Sequence, residues 1–480
     1  MFRQTSKVFG RHNFHVSNFS ETCQKTLHVA LSTGLPHIIH IIIHIIINSM
    51  SDNTSIKEAD SEMEDYFLLQ WMVAVSMRLP RGPRWDHARL NWDDHVEQLL
   101  HEGKFAREYR MSLPACEELI SLLAPTLQRV EWNSRGREPI RVEHIVALGL
   151  RALGGGRLQD LRHIIGSSLS AAYQAFDDFV NAINTSPDFD INFPQSNKAW
   201  QEVNDGFTAK SSDGIMQGCV GAIDGYFQRI QTPSKSEVGN VVSYYSGHYE
   251  SHGVNCQACV RSDLSFMYFG VVAPGSTNDN ISYPLAAGLR DTVESLPPGL
   301  YCVADAAYTL QENLLIPFTG VDRNDVAHDA FNFYMSQLRI RVEMAFGRLT
   351  NKFRILKGSM VGSLDRITAI IMACARLHNY IIQMGGGDGS VVEEDGNVDD
   401  DATIADEPSA PLGMAYLPVV PNEDWEEIEG MSYARAAIVD YLRANNYQRP
   451  LYNLERKRNE LLVTSPNSDL EWESEYISPS

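Results

Sequence analysis

The first half of the chain shows a helical pattern of apolar and polar positions. Over 67–183, apolar residues recur at spacings of three and four, as at Leu119 and Leu123. Ser112 and Pro139 each stand just before such a run, where a helix is expected to begin. The pattern predicts an all-helical region.

Three glycines at 154–156 interrupt this pattern, and two short helices are expected after them. The predicted helices cover Leu158–Ile165 and Leu169–Ile183, joined by a Gly-Ser-Ser turn. This spacing is typical of a helix-turn-helix. Structural packing of two helices explains it equally well, because only Arg157 and Arg162 add positive charge there.

After Gly218 the pattern changes to that of strands. An apolar run from Cys219 ends at Asp224, and a strand-like stretch follows at Tyr226–Ile230. Further strands are predicted over 254–260, 266–273 and 301–304, and helices over 283–293, 331–353 and 364–382. The first strands suggest an antiparallel meander, and the strand reached through a helix is expected to run parallel to its neighbour. The sequence therefore predicts an α/β domain with a mixed sheet flanked by helices.

The chain ends differ from this middle. Ile38–Ile47 is nearly all isoleucine and histidine, but ten residues are too few to span a bilayer, which takes about 20, and no signal-peptide cleavage site is evident. We expect neither a membrane anchor nor a signal peptide. Met50 precedes an ordinary acidic stretch, so an incorrectly assigned leader is one hypothesis for the residues before it.

Composition and charge narrow the function classes. Apolar residues make up 44% of the 480, as in globular proteins, and seven scattered cysteines do not suit a secreted disulfide framework. The net charge of −21 is unevenly spread, since 381–480 holds 21 acidic against 6 basic residues. In contrast, Met335–Lys357 carries six basic residues and one acid, a stripe suited to phosphates.

These observations divide the chain into four parts. They are a disordered or misassigned leader over 1–66, a helical, helix-turn-helix-like region over 67–200, an α/β domain over 215–383, and an acidic, largely disordered tail over 384–480. A short helix is still expected within the tail, near 431–447. We expect the acidic tail to oppose DNA binding at low salt.

Three acids stand where carboxylates can meet. Asp224 and Asp305 follow predicted strands, and Glu343 lies on the long predicted helix. Rigid elements of this kind can bring distant carboxylates together around Mg²⁺ or Mn²⁺, which prefer oxygen ligands. Each acid alone is better explained as a turn, a cap or a solvated residue. Asp279 is a weaker candidate for a fourth acid.

A pair of cysteines in the predicted sheet has two interpretations, a zinc site or packing in the core. Cys256 and Cys259 form a CxxC pair, with His248 and His252 upstream. Residues three apart on a strand face opposite sides, so two core cysteines are the favoured interpretation.

The residues around the three acids resemble the PIF/Harbinger family of transposases and transposase-derived nucleases. The resemblance covers about 105–382. Its motifs are Ala222-Ile223-Asp224-Gly225, Ala304-Asp305-Ala306-Ala307-Tyr308, Arg339 to Leu349 around Glu343, and the flanking blocks Ala273 to Ser276 and Leu377 to Tyr380. The family commonly has Thr-His where Tyr226 and Phe227 stand, and Gly in place of Ala304.

The resemblance implies an RNase H-like fold and a DDE nuclease domain. Asp224, Asp305 and Glu343 would be the catalytic residues and the ligands of Mg²⁺ or Mn²⁺, in cleavage and joining of DNA strands. Arg339, Arg348, Lys352 and Arg354 are the expected DNA-binding residues. The implied partners are DNA and a separate Myb-like protein, with no membrane, and the implied location is the nucleus. Self-association stays open.

Two functions remain open from the sequence. One is an active metal-dependent DNA endonuclease or transposase. The other is a domesticated, catalytically silent DNA-binding or adaptor protein that retains the fold. The presence of all three acids favours the first, because an adaptor does not require metal ligands at those positions.

Overall fold

The computed structural model describes residues 88–128, 139–385 and 432–450. The expected leader, its isoleucine run and most of the acidic tail lie outside these ranges. No helix in the described ranges combines the length and the apolar character needed to cross a bilayer.

The N-terminal part of the described chain is all helical, as the sequence predicts. Its helices are α1 Trp92–His101, α2 Phe105–Tyr109, α3 Leu113–Leu127, α4 Val142–Leu153, α5 Leu158–Leu161, α6 Leu169–Thr185 and α7 Asn197–Thr208. Ser112 is the N-cap of α3, with a proline in the first turn, as expected. Ser168 caps α6 by accepting a hydrogen bond from the backbone N–H of Ala171 at 3.3 Å.

The first helix of the expected helix-turn-helix is shorter than predicted. It is the single turn α5, and the chain then turns through Gly166, whose φ of 55° lies in the left-handed region. Leu158 and Leu161 are buried in the core together with Phe176 and Phe179 of α6. Both helices therefore contribute apolar side chains to the packing of the helical region.

A mixed sheet forms the middle of the molecule. Its strands are β1 Cys219–Arg229, β2 Tyr245–Ser246, β3 Ser251–Val260, β4 Phe266–Pro274, β5 Tyr301–Val303 and β6 Leu314–Leu315. The order across the sheet is β4-β3-β1-β5-β6, and β2 pairs with the start of β3. β1, β3 and β4 are antiparallel, whereas β5 runs parallel to β1 and β6 parallel to β5. The meander and the parallel strand are both confirmed.

The first strand differs from its prediction. Asp224 lies inside one continuous 11-residue strand, not at the end of a short one. The reason is the partner strand, because β3 pairs with β1 from Ala222 to Arg229 and keeps Asp224 and Gly225 extended. An Asp-Gly pair read alone indicates a turn, and tertiary pairing overrides that preference.

Helices cover the sheet and close the chain. They are α8 Lys235–Val238, α9 Asp279–Leu285, α10 Ala287–Glu294, α11 Val326–Lys352, α12 Leu364–Gln383 and α13 Tyr433–Ala444. The helix predicted over 283–293 is two helices, since the backbone leaves the helical region at Ala286. α11 begins earlier than predicted because Asp325 caps it, accepting from the N–H groups of Ala327 and His328.

The packing joins the helical region to the sheet domain. α11 packs on β1, α12 packs on β4 and on α6, and α13 packs on α11. The buried apolar residues form one continuous core that extends through both regions. The predicted boundary between a helical region and an α/β domain is therefore a change of architecture within one core.

Candidate active site

Asp224 lies on β1, and Asp305 lies in the loop that follows the neighbouring strand β5. β1 pairs with β5 in parallel, and the last pair in register is Ala222 with Val303. Each acid lies two residues beyond that pair. Since side chains alternate along a strand, residues two apart share a face, and this geometry brings the two carboxylates together.

Burial and like charge act on these two acids. Burial, together with the negative charges of Asp305 and Asp279, raises the pKa of Asp224 to about 7, while Arg339 acts in the opposite direction. The backbone N–H of Gly225 donates to Asp224 Oδ1 at 2.8 Å. Three carboxylates thus crowd one place in the structure.

Asp305 lies in a similar environment. Burial raises the pKa of its carboxyl, and the charges of Asp279 and Glu343 act in the same direction. The backbone N–H of Ala307 donates to Asp305 Oδ1 at 2.9 Å, and with the charge of Arg339 it partly offsets the rise. The loop after β5 therefore holds its acid through its own backbone.

Glu343 lies on α11. It forms an ion pair with Arg339, one helical turn earlier, and its side chain is 47% exposed. The negative charge of Glu343 acts on Asp305, where it raises the pKa of the carboxyl. Within the described ranges, no group of three or more His, Cys, Asp or Glu side chains is arranged to hold a metal ion as it stands. Here the Glu343 carboxylate engages Arg339.

The donor set nevertheless suits a hard divalent cation. All the candidate ligands are carboxylate oxygens, the type that Mg²⁺ and Mn²⁺ prefer. Burial and the charges of neighbouring acids raise the pKa of Asp224 and of Asp305, and a bound cation would offset both effects. Asp224, Asp305 and Glu343 would hold such an ion.

The four expected DNA-binding residues lie in two places. Arg339 lies with Glu343 beside the acids. Arg348 and Lys352 are one turn apart and lie about 180° around α11 from Arg339, since the helix advances about 100° per residue. Arg354 follows the end of the helix. The basic stripe of the sequence is thus two separate groups on the folded helix.

The second basic group meets the helical region. Burial lowers the pKa of Lys352, and the charges of Arg348 and Arg110 lower it further. Arg354 lies against Gly155 of the glycine interruption, where a β-carbon would be 3.2 Å from the Arg354 β-carbon. Positive charge from α11 and from the helical region is therefore concentrated at their contact.

The structure also brings in polar residues that the sequence reasoning missed. Asp279, at the start of α9, accepts hydrogen bonds at Oδ1 from Asn255 Nδ2 at 3.2 Å and from Gln257 Nε2 at 2.9 Å. Tyr308 donates to Gln257 Oε1 at 2.7 Å. Asn255 and Gln257 are two apart in an otherwise apolar buried strand, a signal that the sequence does contain.

The residues that depart from the family pattern pack beside the acids. The Tyr226 ring lies 5.2 Å from that of Phe346 on α11, and its hydroxyl donates to Gln228 Oε1 at 2.9 Å. Phe227 stacks on Tyr249, with the ring centres 4.3 Å apart. Both side chains thus contribute aromatic packing where the family commonly has Thr and His.

The two cysteines of the CxxC pair belong to the core. Cys256 and Cys259 are buried free thiols of β3. A β-carbon at Gly221 would lie 2.7 Å from the Cys259 sulfur and 2.8 Å from that of Cys302, so those two thiols share one side of β1. Burial raises the pKa of Cys256.

Comparison with known proteins finds similarity in the part of the chain that holds the candidate site. Residues 223–379 match the DDE superfamily endonuclease family, a span that contains all the acids of the site. "Protein ALP1-like" of Arabidopsis thaliana is 25% identical over 62% of this chain and 76% of its own length. "Putative nuclease HARBI1" is 24% identical in Rattus norvegicus and 23% in Homo sapiens, over 56% of this chain and 74% of the relative. No solved structure has significant similarity to the chain. The resemblance seen in the motifs is confirmed.

Proposed function

We propose that this chain is a divalent-metal-dependent DNA nuclease. The premise is that residues 223–379 match the DDE superfamily endonucleases. Asp224, Asp305 and Glu343 are its catalytic residues and metal ligands, in a sheet domain of RNase H-like architecture. The observation that supports the proposal is the interaction among the acids: the charge of Asp305 acts on Asp224, and the charge of Glu343 acts on Asp305.

The residues have distinct tasks in this proposal. A bound Mg²⁺ or Mn²⁺ would activate a water, or a 3′-hydroxyl of the DNA, and would stabilise the oxygen that leaves phosphorus. Asp224 is fixed by the Gly225 N–H and Asp305 by the Ala307 N–H, so both carboxylates are held before the ion arrives. Glu343 must leave Arg339 to join them, and Arg339 is then available to a DNA phosphate.

DNA is the proposed substrate, with strand joining as an extension of cleavage. Arg348, Lys352 and Arg354 supply a second positive group outside the acidic site, suited to the phosphates of a longer duplex. A Myb-like partner and a nuclear location are part of the same proposal. They follow from the family resemblance, and the sparsely charged pair α5 and α6 is compatible with a partner that helps to select the DNA.

A nicking assay tests this function. Supercoiled plasmid is incubated with the full chain and Mg²⁺ or Mn²⁺, alongside Asp224→Asn, Asp305→Asn and Glu343→Gln. Each substitution keeps the shape and removes the charge, so we expect nicking to fall by about 100-fold or more. Asp177→Asn, which removes a surface carboxylate paired with Arg366, is the control and should nick like the unaltered chain.

The catalytically silent alternative makes the opposite prediction. The ion pair between Arg339 and Glu343 favours it, because that pair occupies the carboxylate needed for the metal. If the unaltered chain binds DNA but does not nick it with either ion, the adaptor function is correct. Equal nicking by the unaltered chain and the three variants would refute the site assignment.

A further inference from the structure

Gln257 is a fully buried polar residue beside the candidate site. It lies on β3 directly opposite Gly225 of β1, the residue that follows Asp224. Its side-chain nitrogen donates to Asp279 Oδ1 at 2.9 Å and to Asn255 Oδ1 at 3.0 Å. Its side-chain oxygen accepts from the Tyr308 hydroxyl at 2.7 Å. Every hydrogen-bonding atom of this amide is therefore used.

The chemistry of the amide fixes the direction of each bond. A side-chain NH₂ only donates, so Asp279 Oδ1 accepts from Gln257 and also from Asn255. An amide oxygen only accepts, so the Tyr308 hydroxyl is the donor. The Asp279 carboxylate is thus held in one orientation by two buried amides of the same strand.

That orientation places Asp279 against the backbone next to Asp224. A β-carbon at Gly225 would lie only 2.0 Å from Asp279 Oδ1, so the carboxylate occupies the space that the missing side chain leaves. The charge of Asp279 also acts on both Asp224 and Asp305, raising the pKa of each. Asp279 therefore lies among the acids of the site.

The other side of Gln257 reaches the loop of Asp305. Tyr308 lies three residues after Asp305, and its side chain is buried. Its hydroxyl ties this loop to β3, while β3 itself pairs with β1. Gln257 thus connects the loop of Asp305 and the start of α9, which carries Asp279, to strand β3, which pairs with the strand of Asp224.

We propose that Gln257 is a positioning residue of the candidate site. It holds Asp279 as a fourth carboxylate beside Asp224, and through Tyr308 it holds the loop of Asp305. The inference rests on the proposed function, since it concerns how the same site holds its divalent ion. Outer residues of this kind orient metal ligands, and their loss typically weakens metal binding by about 10- to 100-fold.

The test measures Mn²⁺ binding to the full chain, independently of DNA cleavage. Free Mn²⁺ is followed by electron paramagnetic resonance, and nicking is then measured as a function of Mn²⁺ concentration. The variants are Gln257→Leu, Tyr308→Phe and Asp279→Asn. The last keeps an oxygen that accepts from the amides and removes only the negative charge.

We expect each variant to weaken Mn²⁺ binding by about tenfold or more. Nicking should recover at higher Mn²⁺ concentration for Gln257→Leu and Tyr308→Phe, because the ligands themselves remain. The matched control is Gln228→Leu, which removes a buried glutamine of β1 whose amide donates to the carbonyls of Arg229 and Gly358. It should lose stability without a change in Mn²⁺ affinity.

The outcomes separate the inference from the proposed function. If Gln257→Leu and Tyr308→Phe bind Mn²⁺ no more weakly than Gln228→Leu, the positioning role is wrong and the nuclease function is untouched. If Asp224→Asn and Asp305→Asn also bind Mn²⁺ like the unaltered chain, the metal site itself is wrong. Should Gln257→Leu fail to fold, Tyr308→Phe decides, because it removes a single hydroxyl.

Discussion

His378 is a buried histidine that links α12 to the sheet. Its Nε2 donates to the carbonyl of Leu264 at 2.9 Å, and its ring lies 4.9 Å from that of Phe266. Burial, together with the charges of Lys352 and Arg348, lowers its pKa to about 4, while the Leu264 hydrogen bond and Asp263 act in the opposite direction. The neutral ring is therefore part of the folded core.

This burial predicts a loss of stability in mild acid. The unfolded chain takes up a proton at His378 near pH 6.5, whereas the folded chain does so only near pH 4. Stability from this residue is thus complete above pH 6.5 and falls as the pH drops towards 4, by about 1–3 kcal/mol. Thermal unfolding at pH 7 and pH 5 should show a smaller pH effect in His378→Gln, which keeps a donor but does not titrate. Equal pH effects in both proteins would contradict the assignment.

Asn379 fixes the edge of β4 from the neighbouring helix. Its Oδ1 accepts from the Phe266 N–H at 2.8 Å, and its Nδ2 donates to the Phe266 carbonyl at 2.7 Å. Asn379→Ala leaves both backbone groups without this partner, so we expect a loss of about 2 kcal/mol in the free energy of unfolding. Urea unfolding measures it. Asn181→Ala, a substitution on the exposed face of α6, is the control and should change stability little.

At the level of residues, the local sequence indicates the three candidate acids but not the residues that hydrogen-bond around them. Asp224, Asp305 and Glu343 stand in distinctive local motifs, so each can be proposed from its own neighbours in the sequence. Gln257 and Tyr308 gain their meaning from a contact across 51 positions of sequence. Such a contact depends on the pairing of β1 with β3, which no local pattern contains.

At the level of elements, α13 is an addition to the sheet domain and lies outside the family match. Ser432 caps it and also donates to the Glu312 carbonyl at 2.9 Å, and Arg435 lies over the Phe318 ring at 4.1 Å. After the helix, Arg449 forms two hydrogen bonds with the Asp329 carboxylate near the start of α11, at 2.8 and 2.9 Å. This C-terminal helix therefore secures the first turns of the helix that carries Glu343.

The packing of α13 predicts a local effect of a core substitution. Leu442 is fully buried against α11, so Leu442→Ala removes apolar contact worth about 2–5 kcal/mol. Hydrogen exchange followed by mass spectrometry should then be faster across 433–444, with β1 and β3 little changed, because a docked helix opens locally. Equal acceleration in the sheet would show that α13 is inseparable from the global fold.

The boundaries of the helices and strands show where the local sequence is sufficient to predict them. α12 and β4 match their predictions closely, since each combines a clear periodicity with clear ends. β1 differs from its prediction because its pairing with β3 decides where the strand ends. The helix predicted over 283–293 differs because the backbone at Ala286 divides it into α9 and α10. The helix expected near 431–447 is present as α13.

At the level of the whole molecule, the distribution of negative charge opposes the binding of DNA, the proposed substrate. The linker over 386–431 has 14 acidic residues and no basic residue. Both of its ends adjoin described structure, at the end of α12 and just before α13. Its negative charge is thus covalently tied to the domain that is proposed to bind DNA.

Neutralising this linker should strengthen DNA binding. With its 14 acids replaced by Asn and Gln, we expect affinity for duplex DNA to rise about tenfold at low salt, and the difference to shrink as salt screens the charges. Fluorescence anisotropy across a salt series measures both. The control replaces the nine Ser, Thr and Gly residues of that linker with Asn and Gln, which leaves its charge unchanged. An unchanged affinity at low salt would contradict the electrostatic role.

After the linker over 386–431 the chain returns to the sheet domain, because α13 packs on α11. The protein should therefore stay assembled when the linker is cut. A protease that cuts once between Gly385 and Ser432 breaks the backbone but leaves Ile438, Val439 and Leu442 buried in the core. The two fragments should therefore elute together in gel filtration and separate only in denaturant. A break in the polypeptide would then release the acidic segment from one tether while the nicked protein keeps its architecture.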